Sequence, residues 1–197
     1  MTTNETTSGK APIERKLAGE EGLWVLIFGD MLTFSIFFLT FLYYRNGNIG
    51  VFQAGAELLD LRLGILNTLL LLTSSWFVAS AGNEAKHNRP NRAAPLLLGG
   101  ILCGVGFCIV KAFEYSAKID HGITLNSSEF FIFYYCFTGI HLAHVVIGLG
   151  VLVVMYFRCK SPVADAKTVA IVAGGGAFWH MVDLLWIVLF ALFYLVV

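Results

Sequence analysis

Charge is what this chain has least of. Only 13% of its 197 residues are Asp, Glu, Lys or Arg, about half the ~25% of a soluble globular domain. The 13 basic and 13 acidic residues cancel, so there is no charge excess with which to grip nucleic acid or another polyanion. Prolines are few: Pro12, Pro90, Pro95 and Pro162 are all expected outside helix interiors, Pro95 in a first helical turn. The four cysteines show no CxxC spacing. Cys103, Cys108 and Cys136 fall in apolar runs and read as small core hydrophobes, not as a disulfide framework. No cleavable signal peptide is evident either. The first apolar run, Gly22 to Tyr44, follows a polar segment and is long enough to span, so it reads as an uncleaved anchor.

Apolar residues are what the chain has instead. They make up 57% of it, and the mean hydropathy is +0.76. A membrane-spanning helix needs about 20 apolar residues. Five segments qualify: 23–44, 63–81, 95–117, 128–157 and 168–197. The expected fold is therefore all-α, an integral membrane bundle of five transmembrane helices over residues 22–197, preceded by a polar tail at 1–21. Lys and Arg set the orientation. Lys10, Arg15, Lys16, Lys86, Arg89, Arg92, Arg158, Lys160 and Lys167 fall on one side, against Arg45, Arg62 and Lys118 on the other. The tail is thus expected in the cytoplasm and the C-terminus on the opposite side. Gly100 and Gly104 on the third span, and Gly174 to Gly176 on the fifth, suit close helix packing. The chain has no internal repeat of the kind an inverted-repeat transporter carries.

Ionisable groups at bilayer depth are expensive and are kept when they pair, line a wet cavity or do chemistry. His141 and His144 on the fourth span, and His180 and Asp183 on the fifth, are each spaced i, i+3 near mid-span. The two spans are consecutive and antiparallel, so the pairs are expected to meet as an interhelical polar clamp; the sharper alternative is a metal or haem site. Asp30, about 10 Å into the first span by helical rise, has no basic residue within one helical turn, and its neighbours Leu26, Ile27, Phe34 and Phe37 are apolar. It reads either as a proton-handling or lipid-facing carboxylate or as a hydrogen bond to a neighbouring helix. Lys111 and Glu114 are expected to pair within the third span, with Lys111 snorkelling outward. Asn67 and Thr68 add a polar spot on the second span suited to helix packing. Trp24, Tyr43, Tyr44 and Tyr194 lie near span ends, as an interfacial belt requires, while Trp179 and Trp186 sit deeper.

Read in order, these patches resemble subunit III of the haem-copper oxidase superfamily. The resemblance rests on Leu66-Asn67-Thr68, Glu114-Tyr115, Thr138-Gly139-Ile140-His141-Leu142-Ala143-His144-Val145 with Gly148, and Trp179-His180-Met181-Val182-Asp183 with Trp186. It covers about residues 20–197. Members of this family have no redox centre in this subunit. They pack against a catalytic subunit that holds the haem and metal, bind phospholipid and help sustain proton uptake. The resemblance therefore implies no cofactor in this chain, bound phospholipid, and a bacterial inner-membrane location. The family's carbodiimide-reactive carboxylate, usually glutamate, maps onto Asp30; Glu114 is the second candidate carboxylate. A glutamate that often begins the fifth-helix motif is replaced by Ala173, and five spans stand where the longer form has seven.

Within the family, Gly19-Glu20-Glu21-Gly22-Leu23-Trp24 leading to Gly29-Asp30-Met31-Leu32, Lys111-Ala112-Phe113-Glu114-Tyr115, and His180-Met181-Val182-Asp183-Leu184-Leu185-Trp186 are most similar to the NorE group. These are accessory proteins of nitric oxide reductase in denitrifying bacteria. The expectation is a non-redox accessory subunit of such a complex, binding its catalytic subunit and supporting assembly or sustained activity. The alternatives are subunit III of an aerobic cytochrome c or quinol terminal oxidase and, from another class, a small proton-coupled transporter or channel. A haem-binding membrane anchor is a third possibility.

Overall fold

Five long helices form because long apolar runs in hydrocarbon must satisfy every backbone N–H and C=O within their own segment. The computed structural model describes residues 21–87, 89–161 and 166–196. Its helices are α1 (Glu21–Gly47), α2 (Ile49–Glu57), α3 (Leu61–Lys86), α4 (Pro90–Asp120), α5 (Glu129–Lys160) and α6 (Ala166–Phe190). A π-helical turn, Ala191–Leu195, continues α6. All of these except α2 and the turn are, by length and hydropathy, candidate spans, the last running on to Leu195. The all-α, five-span expectation holds. The 1–20 stretch of the expected tail lies outside the described residues, as do Pro12 and Pro162.

The spans are longer than their apolar centres. α3 and α4 continue two to five residues past the expected ends at 63–81 and 95–117, because polar residues flanking the apolar stretch still propagate the helix. Pro90, rather than Pro95, occupies the first turn of α4, and Pro95 lies inside the helix. It is only five residues in, where one missing hydrogen bond is least disruptive. α2 lies in what reads as a connection at 45–62. Nine residues are too few to span, yet Phe52 and Gly55 are buried. Phe52 packs edge-on against Phe41 and Phe130, so α2 closes one end of the bundle over an aromatic cluster. Cys136 is exposed, unlike the other cysteines, because its position on α5 faces away from the core.

α6 is the central element. It packs against α1, α3 and α5, while α4 bridges α3 and α5. Of α6's most apolar window, 56% is buried, against 17% for α1. Trp179, Trp186 and Phe193 of α6 and its π-turn are among the largest fully buried side chains. Glycine makes room for them. A methyl group on Gly148 would lie 2.7 Å from the Trp179 ring, and one on Gly104 would lie 2.8 Å from Leu149 and 3.0 Å from Trp179. Gly175 likewise admits Val151 and Met155 of α5. Both glycine clusters therefore mark tight helix crossings. Replacing Gly148 by valine forces the indole out of its seat, at a cost of roughly 1–3 kcal/mol for overpacking. Gly139, on the same helix but with nothing within 4 Å, should tolerate alanine. Thermal midpoints in detergent are expected to fall for Gly148→Val and hold for Gly139→Ala; equal shifts would contradict this packing.

Candidate functional site: buried and half-buried polar clusters

The deepest charges form one closed network between α4, α5 and the end of α6. Lys111 Nζ lies 2.8 Å from Glu114 Oε2, and Lys118 is 3.6 Å from Oε1. Lys111 also donates to the hydroxyls of Tyr134 at 3.2 Å and Tyr194 at 3.4 Å. Both tyrosines in turn donate to Glu114 Oε1, at 2.8 and 2.6 Å. The Lys111 ammonium sits 4.8 Å from the Trp186 ring centroid, a cation–π contact that strengthens as water is removed. The expected i, i+3 ion pair is present, but Lys111 does not snorkel: its side chain is 1% exposed. Four aromatic rings, those of Tyr115, Tyr134, Trp186 and Tyr194, and a carboxylate hold it inward more strongly than a distant interface draws it out. Tyr134, Tyr194 and Lys118 escape sequence reading as members of this site. The i, i+4 spacing of Glu114 and Lys118 was the available signal; the tyrosines come from other helices and leave none.

The four residues expected to clamp α5 to α6 are shared among three neighbours instead. Residues at i, i+3 differ by about 60° around a helix, and that angle is enough to point them at different partners. His144 turns to α1, where its Nε2 is 3.1 Å from Asp30 Oδ2. His180 turns to α3, where its Nδ1 is 2.6 Å from Ser75 Oγ. His141 faces inward, fully buried between Phe107 and Trp186, and neither ring nitrogen has a protein partner. Asp183 is buried with Oδ1 unpaired. Asn67 is fully buried with its amide unpaired, whereas Thr68 accepts from Trp186 Nε1 at 3.1 Å and so links α3 to α6. Among the described residues, no three His, Cys, Asp or Glu side chains converge as a metal-binding group.

The Asp30–His144 pair has a definite proton inventory. His144 Nδ1 lies 2.9 Å from the Ile140 carbonyl, which can only accept, so Nδ1 carries a proton. Nε2 and the Asp30 oxygen cannot approach as two bare acceptors. One proton lies between them, and the pair is neutral as a unit, which suits a site only 18–26% exposed in hydrocarbon. Phe34 packs edge-on against the imidazole. Beside this pair, an apolar groove of about 660 Å³ runs between α1, α5 and α6, with Leu23, Val151 and Phe178 in its walls and Lys167 also lining it.

A carbodiimide adds to carboxyls that can present a proton. Asp30 is expected to be labelled in intact membranes, and Asp30→Asn to abolish the label, while Glu114 stays unmodified behind Lys111 and the tyrosines. Peptide mapping that finds Glu114 modified and Asp30 intact would contradict the two environments.

The family model described as cytochrome c oxidase subunit III matches residues 3–196. Cytochrome c oxidase subunit 3 of Bacillus subtilis is 30% identical over 175 residues, covering 88% of this chain and 84% of that protein. Quinol oxidase subunit 3 of Bacillus subtilis is 27% identical over 178 residues, covering 88% and 85%. The heme-copper oxidase subunit I+III of Aeropyrum pernix is 28% identical over 88% of this chain, which spans only 22% of that longer protein. With matching sequence running through all five spans, this chain belongs to the cytochrome c oxidase subunit III family.

Proposed function

We propose that this chain is the non-redox third subunit of an oxygen-reducing haem-copper terminal oxidase, docked on the catalytic subunit in a bacterial plasma membrane with its N-terminus in the cytoplasm. Membership of the family makes it a subunit III of a haem-copper oxidase complex, and a subunit III implies catalytic oxidase subunits as partners. The observation that carries the finer reading is the match to subunit 3 of both cytochrome c and quinol oxidases over nearly the whole chain. The relative named subunit I+III supports a close association of the two subunits. Haem and metal belong to the partner in this reading. In this chain the charged groups are spent on one another: Glu114 on two lysines and two tyrosines, Asp30 on His144. A phospholipid suits the groove between α1, α5 and α6, whose walls are apolar and whose Lys167 offers a cation to a headgroup phosphate.

One set of observations favours a second partner. The stretches around Gly29-Asp30-Met31-Leu32, Lys111-Ala112-Phe113-Glu114-Tyr115 and His180-Met181-Val182-Asp183 resemble the NorE group, which would place a nitric oxide reductase beside this chain. A proton-coupled transporter has less behind it. Among the described residues the polar groups divide among separate neighbourhoods on α1/α5, α3/α6 and α4/α5/α6.

Deleting the gene and assaying washed membranes for oxygen and nitric oxide consumption separates the two partners. Oxygen reduction is expected to fall, or to inactivate sooner during turnover, with nitric oxide reduction unchanged. A selective loss of nitric oxide reduction would transfer the subunit to the second partner. A Soret band on the purified chain alone would end the non-redox reading.

A further inference from the structure

Cations outnumber carboxylates in the buried network near the end of α4. Lys111, Lys118 and Glu114 are all buried, two ammonium groups beside one carboxylate. Glu114 already holds three hydrogen bonds: Oε2 accepts from Lys111 at 2.8 Å, and Oε1 from Tyr134 at 2.8 Å and Tyr194 at 2.6 Å. Lys111 and Glu114 therefore balance as a pair, and Lys118 is the charge left over. Its Nζ is 3.6 Å from Glu114 Oε1, close enough for attraction but outside hydrogen-bond distance. The Tyr134 ring centroid is 5.6 Å away. Nearby backbone acceptors are engaged as well. The carbonyls of Ala117, Lys118 and Ile119 accept from the N–H groups of His121, Ile123 and Gly122 at 2.9–3.2 Å.

Lys118 lines a cavity of about 430 Å³ between the start of α3 and the end of α4, which also has Leu63 and Ile123 in its apolar walls and Asp60, Glu114 and His121 among its polar groups. This is within the size range of small-ligand sites. Asp60 and His121 are exposed whereas Lys118 and Glu114 are buried, so the cavity leads from the surface to the network. The rim carboxylate of Asp60 caps α3, accepting from the Arg62 backbone N–H at 2.8 Å, which holds it toward that helix. A buried ammonium is costly unless it is paired and hydrogen-bonded. Water hydrates such a group but brings no charge. A phosphate oxygen supplies both the charge and a charge-assisted hydrogen bond. Lys118 lies two residues from the end of α4, at the edge of a span where headgroups begin, and basic pockets between membrane helices take phosphate-bearing headgroups.

We propose that this cavity at the α3/α4 end is a binding site for a phosphate group, carried on a lipid headgroup or free in solution, with Lys118 as its ion-pair partner and His121 as a second donor at the rim. The site shares no residue with the groove between α1, α5 and α6, and it stands whichever respiratory complex the chain serves.

The test purifies the full chain with its partners in a phosphate-free maltoside detergent. Separate arms add phosphatidylglycerol, inorganic phosphate, or a diacylglycerol with the same acyl chains. A photo-crosslinking amino acid at Ile123 reports occupancy by adduct mass, and the thermal midpoint reports binding. At least fivefold more adduct with phosphatidylglycerol than with diacylglycerol, and a raised midpoint, are expected if the phosphate is a lipid's. A midpoint raised by inorganic phosphate, which also competes away the lipid adduct, would support the same site with the free ion as its ligand. Lys118→Met should lower the adduct yield roughly tenfold, the scale of one charge-assisted hydrogen bond, and Lys118→Arg should retain most of it. Equal yields from phosphatidylglycerol and diacylglycerol, or from the unaltered chain and Lys118→Met, would overturn the inference. Should Lys118→Met fold poorly, Asp60→Asn decides, since asparagine still caps a helix. Removing that rim charge should strengthen phosphatidylglycerol binding. A lowered midpoint with no gain in binding would make Asp60 the counter-charge of Lys118 and overturn the proposal.

Discussion

One carboxylate, Glu114, is buried among two lysines and two tyrosines, and this end of the bundle is organised around it. In hydrocarbon an unpaired ion is prohibitively costly. The helices carrying Lys111 and Lys118, Tyr134 and Tyr194 therefore have to meet where this network needs them. α4 supplies the charges, α5 and the end of α6 supply the hydroxyls, and Trp186 of α6 supplies a ring for the ammonium. The same constraint explains why α2 lies where it does. It brings Phe52 and Gly55 against α5 near the same end, adding an apolar seal over the aromatic cluster around Phe41 and Phe130.

Elsewhere the bundle meets the constraint differently. Asp30 and His144 share a proton across α1 and α5 and are neutral as a pair. Thr68 and Trp186 tie α3 to α6 with a neutral hydrogen bond. Ser75 and His180 join α3 to α6 at 2.6 Å, while Asp183 Oδ1 is enclosed and unpaired. Tight crossings at Gly104, Gly148 and Gly175 keep the helices close enough for these short bonds to form.

Much of this was legible in the sequence, for physical reasons. Spans are visible because their length and hydropathy are set by the bilayer. The family is visible because its polar pieces occur in a fixed order along five helices. The Lys111–Glu114 pair is visible because i, i+3 contacts are local. The partners of His144 and His180 are not, since a 60° turn between positions on one helix selects a different neighbour and only the assembled bundle decides which. Tyr194 illustrates the same gap: its place near a span end suits an interfacial belt, but its hydroxyl is drawn inward by a carboxylate on another helix. α2 was hidden for the opposite reason, being too short for a span and bounded by turn residues. The narrower assignment to a nitric oxide reductase group went further than whole-chain similarity carries, because local motif likeness does not identify a partner.

The central claim is that the charges enclosed in this bundle are held by one another. A double-mutant cycle on Lys111→Met and Glu114→Gln, read as unfolding free energy in the same detergent, tests it most directly. Either single change strands a partner. The double variant should therefore be more stable than the sum of the two predicts, by about 1–3 kcal/mol of coupling. Losses that simply add, to within about 0.5 kcal/mol, would mean the two side chains do not sustain each other and that something else balances the charge.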